Sequence, residues 1–142
     1  AQAFRSIADE LAARYEGQRI AKIIGIESRG FIMGGTLAAR LGAGFVPVRK
    51  PGKLPADIYE VEYNLEYGSS VLAIHRDAVS PGERVLIVDD LLATGGTAAA
   101  TIDLVRQLGG EIAGLDFLTE LKGLNGRDRL AGYDVHSMII YP

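Results

Sequence analysis

The run Arg84 to Thr97, R-V-L-I-V-D-D-L-L-A-T-G-G-T, restricts this chain more than any other stretch. Val85-Leu86-Ile87-Val88 is short, wholly apolar and rich in β-branched residues. That is the pattern of a strand buried on both faces. It runs into two adjacent carboxylates, Asp89 and Asp90. Leu91 and Leu92 follow, then a turn of small residues, Ala93-Thr94-Gly95-Gly96-Thr97. Ala98 to Leu108 has helical composition, with Ile102, Leu104, Val105 and Leu108 as its apolar positions. The layout is strand, acidic pair, glycine loop, helix.

Each part has a physical use. Gly95 and Gly96 let backbone N–H groups converge on a ligand with no Cβ in the way. The helix behind adds unpaired N–H groups and the positive end of its dipole, which favour a phosphate. Thr94 and Thr97 add hydroxyl donors. The carboxylates repel a phosphate but suit hydroxyl groups, or a hydrated Mg²⁺. Phosphate donors beside hydroxyl acceptors describe a sugar phosphate site. The same residues, taken alone, also suit a plain strand–turn–helix connection with Asp90 as a cap. A Walker-type lysine is absent, since G-G-T lacks the G-K-[ST] ending.

The string V-D-D-L-L-A-T-G-G-T resembles the phosphoribosyl-pyrophosphate (PRPP) signature of the type I phosphoribosyltransferases. Its Leu-Leu-Ala form resembles the adenine branch of that family. Further stretches share the resemblance. G-I-E-S-R-G-F, with Glu27, Ser28, Arg29 and Gly30, resembles the branch's pyrophosphate loop, which implies a cis peptide between Glu27 and Ser28. R-K-x-G-K-L-P supplies Arg49, Lys50 and Lys53, cations that the resemblance places beside pyrophosphate. N-L-E-Y-G resembles the mobile catalytic loop, which implies that Glu66 handles the purine proton and Tyr67 helps close the loop. T-E-L-K-G-L-x-G-R-x-x-L, near the carboxyl end, also resembles the branch.

Without the resemblance these stretches read more plainly. Glu27 to Gly30 is a polar turn at the carboxyl end of an apolar strand, Ile20 to Ile26. Ligands in open α/β sheets bind at such ends. Arg49 to Pro55 is a basic turn, and Glu66 a surface acid on a hairpin. Arg127, Asp128 and Arg129 read as solvated. His75 and His136 are isolated and suit surface or core positions rather than metal ligation.

Composition narrows the classes. The 142 residues suit one domain with a real core. A net charge of −3 argues against a nucleic-acid partner. The chain has no cysteine, which removes disulfides and thiolate chemistry and fits a reducing cytoplasm. No apolar run reaches the ~20 residues of a membrane helix.

In order along the chain, the patterning predicts a helix from about Phe4 to Tyr15, the strand Ile20 to Ile26, and a helix from Phe31 to about Leu41. A short strand follows over Gly44 to Val48. Ile58 to Leu65 and Ser70 to His75 make an antiparallel flap. After the central motif come a strand over Glu111 to Leu118, a short helix over Gly126 to Leu130, and a last strand over Val135 to Tyr141. The expected fold is α/β, a doubly wound, mostly parallel sheet of about five strands with a small antiparallel flap. The helix beginning almost at residue 1, with no Met, predicts further residues upstream. The resemblance places a base-covering hood segment there.

The resemblance implies the reaction of adenine with PRPP to give AMP and pyrophosphate, with Mg²⁺, in cytoplasmic purine salvage by a homodimer. Ala93 to Thr97 would hold the 5-phosphate, Asp89 and Asp90 the ribose, and Leu91 the purine face. Mg²⁺ would be bound mainly through PRPP. Two alternatives stand beside this: a salvage enzyme for another purine, and a non-catalytic regulator that senses PRPP. An activity assay over several bases separates all three.

Overall fold

The computed structural model describes residues 1–65 and 67–142. Its elements are α1 (Gln2–Tyr15), β1 (Lys22–Ile26), α2 (Gly30–Leu41), β2 (Gly44–Val48), β3 (Ile58–Asn64), β4 (Ser69–His75), β5 (Arg84–Leu92), α3 (Gly96–Gln107), β6 (Glu111–Leu121) and β7 (Val135–Tyr141). Short 3-10 turns over Lys122–Leu124 and Gly126–Leu130 join β6 to β7.

Five strands form a sheet in the order β2-β1-β5-β6-β7, every neighbouring pair parallel. Side chains alternate between its two faces, and both are covered. Ile24, Ile26, Ile87, Leu115 and Phe117 pack with Ala98, Ile102 and Val105 of α3. Ile23, Leu86 and Val88 pack with Leu11 and Tyr15 of α1 and with Met33 and Leu37 of α2. Cover on both sides is why β1 and β5 are continuously apolar rather than alternating. Fully burying one such side chain is worth about 1.5–3 kcal/mol.

The hairpin of β3 and β4 stands beside the main sheet as a two-stranded unit. It is not a loose flap along its length. Leu72 and Ile74 are buried, and Tyr59, Val61 and Tyr63 pack on the same core. Arg49 and Ala73 exchange two backbone hydrogen bonds, at 3.0 and 2.7 Å, and so join the end of β2 to β4.

Two expectations need correction. The central strand does not stop at Val88 but runs to Leu92, so Asp89 and Asp90 sit on strand backbone. The ladder with β6 continues past them, pairing Asp89 with Phe117, Leu91 with Thr119 and Leu92 with Glu120. Arg127 is exposed, as expected, but it is not merely solvated: its guanidinium grips the buried carboxylate of Glu120.

The connections position the site. From β1 the chain passes through α2 to β2 at one edge; from β5 it passes through α3 to β6 on the other side. β1 and β5 are neighbours whose outgoing loops diverge. A crevice at the carboxyl ends of the strands is the geometric consequence, and it is where such sheets bind ligands.

Candidate active site

Two loops wall the crevice, one after β1 and one after β5. The first of them comes up against β5 itself at Gly30, which opens α2. A Cβ on Gly30 would lie 2.8 Å from the carbonyl oxygen of Val88 and 3.0 Å from Asp89 Oδ1. Only a residue without a side chain lets α2 begin this close to β5. The peptide between Glu27 and Ser28 is cis, as the sequence led us to expect.

The Ala93–Thr97 loop leads into the amino end of α3. Gly95 is the N-cap, with φ of 79°, in the left-handed region that favours glycine. Among the described residues no side chain caps this helix. Its first N–H groups are left for an anion. Gly95 and Gly96 are buried, while Thr94 is exposed. Thr97 Oγ1 lies 3.4 Å from the hydroxyl of Tyr63 on the hairpin. A small cavity of about 70 Å³ sits at this loop.

The two acids differ in environment. Asp89 accepts the N–H of Asp90 at 2.8 Å. Burial, chiefly, and then the neighbouring Asp90 raise the Asp89 carboxyl to about 8, against the N–H of Asp90 and the guanidinium of Arg29. Asp90 pairs instead with Arg29, Nε to Oδ2 at 2.6 Å.

The cations gather around Glu27. Its carboxylate accepts from Arg49 Nε at 3.2 Å, from the Lys50 N–H at 3.1 Å, and from Lys53 Nζ. Burial opposes ionisation of Glu27, but the bonds from Lys53, Lys50 and Arg49 outweigh it and hold the carboxyl below its usual range. The Glu27 N–H is already used, donated to Val48 at 2.9 Å. Glu27 thus stands as an organiser of positive charge.

These parts meet in a cavity of about 480 Å³, lined by Glu27, Ser28, Arg29, Lys50, Asp89, Asp90, Leu91, Ala93 and Thr97 together with Ile26, Tyr63 and Leu72. Arg49 and Lys53 stand behind that lining, tied to Glu27. Tyr67 is 89% exposed near the hairpin tip and reaches the cavity only if the tip moves. Glu66 lies outside the described residues. Tyr63 was missed by the sequence reading. Its signal was the alternation Tyr59-Val61-Tyr63, one inward face of a strand. Another cavity, of about 530 Å³, lies between the carboxyl ends of α1 and α2 beside Asp9, Arg19 and Arg40, and holds none of the predicted site residues.

Residues 1–136 match the family model for the phosphoribosyl transferase domain. Over 99% of its length the chain is 59% identical to the adenine phosphoribosyltransferase of Acidobacterium capsulatum, covering 77% of that protein. This chain belongs to the phosphoribosyltransferase family, on its adenine branch. The crystal structure of the branch's Thermoanaerobacter pseudethanolicus member superposes with a TM-score of 0.95 at 54% identity, covering 99% of this chain and 81% of that one. The Saccharomyces cerevisiae member, solved with an imino-altritol bisphosphate and adenine, superposes with a TM-score of 0.89 at 42% identity, covering 95% of this chain and 78% of that one.

A phosphoribosyltransferase site implies Mg²⁺, and the donor set can be tested for it. Among the described residues no cluster of three or more His, Cys, Asp or Glu side chains could cage a metal. Mg²⁺ keeps several waters and is commonly held by one or two carboxylates plus substrate phosphates. Asp89 and Asp90 supply the two carboxylates in the cavity. The residues therefore fit an ion that arrives on its substrate.

Proposed function

We propose that this site moves the 5-phosphoribosyl group of PRPP onto a ring nitrogen of adenine, giving AMP and pyrophosphate in purine salvage. One observation carries the reading. A strand that carries Asp89 and Asp90 near its carboxyl end leads through a short turn into an uncapped helix terminus, and both face Arg29 and Lys50 across one cavity. Anion donors, hydroxyl acceptors and cations then stand in the sequence that a 5-phosphate, a ribose and a pyrophosphate require.

The work divides among the residues. N–H groups and hydroxyls of Ala93 to Thr97 hold the 5-phosphate. Asp89 and Asp90 accept from the ribose hydroxyls and steady the positive charge that develops on the ribose ring as pyrophosphate leaves. Ser28, Arg29, Gly30 and Lys50 receive the pyrophosphate, with Arg49 and Lys53 held in reserve by Glu27. Mg²⁺ would be bound mainly through PRPP, with Asp89 and Asp90 beside it, and would offset pyrophosphate charge. Leu91 offers the purine an apolar face. Glu66 takes the proton that the attacking nitrogen sheds, and Tyr67 closes the tip over the site, excluding water.

The setting this reading expects is the cytoplasm, and its assembly a homodimer. Among the described residues no helix is long and apolar enough to cross a membrane. The test is Gly96→Asp, which puts a carboxylate where the 5-phosphate would sit. PRPP binding should be abolished; unchanged affinity removes the phosphate assignment. A panel of adenine, hypoxanthine and guanine as acceptors then decides the base, with adenine expected to react fastest.

A further inference from the structure

The Gly126–Leu130 turn has no part in the work assigned so far, yet it forms the back of the Ala93–Thr97 loop. A Cβ on Gly126 would collide with the carbonyl oxygen of Ala93 and sit 2.9 Å from Leu92 Cδ1. In return, a Cβ on Gly95 would collide with the carbonyl oxygen of Gly126. Two stretches of bare backbone are pressed together, one of them the anion loop itself. Leu130, at the other end of the turn, is buried in the core beneath α3.

What holds the turn there is the next side chain, Arg127. Its Nε donates to Glu120 Oε1 at 2.8 Å and to Oε2 at 3.0 Å, and its Nη2 donates to Oε2 at 2.7 Å. Its Nη1 donates to the Val135 carbonyl at 2.7 Å. Glu120 is 4% exposed, and the Arg127 bond is the main cause holding its carboxyl below the usual range. One guanidinium therefore ties the turn to both β6 and β7. Asn125, in the left-handed region with φ of 52°, reverses the chain just before Gly126.

We propose that Arg127 is a positioning residue for the 5-phosphate loop, holding the Gly126 backbone as a fixed stop behind Ala93 and Gly95. The proposal rests on the reading of Ala93–Thr97 as the phosphate site. Such a loop needs an external stop. It is built from small residues, with little side chain to pack, and its N–H groups bind phosphate well only if they are aimed before the ligand arrives. Arginine suits the task because its planar fork fixes direction as well as charge. A lysine supplies a point charge on a flexible stem.

The experiment uses Arg127→Lys and Gly126→Ala, with Gly96→Asp as reference. Arg127→Lys keeps the charge and loses the fork. Gly126→Ala keeps the Arg127–Glu120 pair and drives a methyl into Ala93. Dissociation constants for PRPP, AMP and adenine are measured by calorimetry, well below each variant's melting temperature. Both variants should weaken PRPP and AMP by about tenfold to a hundredfold, the scale of a misplacement of up to ~1 Å, and leave adenine unchanged. Equal weakening of all three ligands, or no weakening in a folded variant, overturns the proposal and leaves Arg127 a brace for the sheet. If Gly126→Ala fails to fold, Arg127→Lys alone decides. PRPP affinity unchanged in Gly96→Asp removes the phosphate reading itself. Loss there with full affinity in Arg127→Lys removes only the role of Arg127.

Discussion

Arg29 and Asp90 face one another across the crevice, Nε to Oδ2 at 2.6 Å. Arg29 comes from the loop after β1 and Asp90 from the last residues of β5, and the proposed function assigns each to a different part of PRPP. Without substrate the two charges answer each other. On the proposed reading, bound substrate would draw Arg29 to pyrophosphate oxygens and Asp90 to ribose hydroxyls, so that each charge exchanges one partner for another.

Arg29→Ala should therefore weaken PRPP and spare adenine. A hydrogen bond to a charged group is worth about 1.5–3 kcal/mol, which is about tenfold to a hundredfold in affinity. Calorimetric titration with PRPP and then with adenine checks this. Equal loss for both ligands would count against a pyrophosphate role.

Asp89 makes ligand-free stability depend on pH. Its carboxyl is raised to about 8, first by burial and then by Asp90, whereas an unfolded aspartate titrates near ~3.9. Below about pH 4 both states hold the proton and there is no effect. Between about 4 and 8 the folded state keeps a proton that the unfolded chain has released, so stability falls as pH rises. Asp89→Asn should flatten that fall and melt above the wild type at pH 8, while losing PRPP affinity. Thermal unfolding across pH 4 to 9 is the measurement. Parallel curves for both proteins would mean that Asp89 is already ionised.

Gly30→Ala probes the contact between the start of α2 and β5. Its methyl would sit 2.8 Å from Val88 O and 3.0 Å from Asp89 Oδ1, where backbone must shift. Overpacking of this kind costs about 1–3 kcal/mol. The melting temperature should drop, and kcat/KM for PRPP should fall further than stability alone explains, because Asp89 is displaced. Wild-type kcat/KM in this variant would show that α2 and β5 can part there without consequence.

The fold was largely readable because its strands are short apolar runs ending in polar residues, and each run keeps that pattern wherever it pairs. Both walls of the crevice could be found for the same reason. Other features depend on partners distant in sequence. That Asp89 and Asp90 lie within the ladder depends on Phe117 and Thr119, which supply the opposing backbone. Arg127 read as solvated because nothing local marks Glu120 as buried; its burial comes from the sheet. Tyr63 could be placed on an inward strand face, but only the packing of the hairpin on α3 brings its hydroxyl to Thr97.

Glu66 carries a prediction from chemistry alone. Glu66→Gln keeps size and hydrogen bonding but cannot take a proton. General acid–base groups contribute typically about 10²–10⁴-fold, so kcat should fall within that range with PRPP affinity nearly unchanged. Single-turnover rates should be used, since slow product release would mask the loss. A near wild-type chemical step would leave Glu66 without a part in proton transfer.

The pair of backbone hydrogen bonds between Arg49 and Ala73 has a mechanical consequence. It closes the chain from Arg49 to Ala73 into a tether whose two ends are stitched together. The hairpin cannot swing away as a whole without dragging the segment that carries Lys50 and Lys53. The inward tyrosines seat its shaft on the core, so the closing motion of the proposed function would fall to the end near Tyr67. On that reading Lys50 and Lys53 would stay anchored at Glu27 while the tip closed over the site.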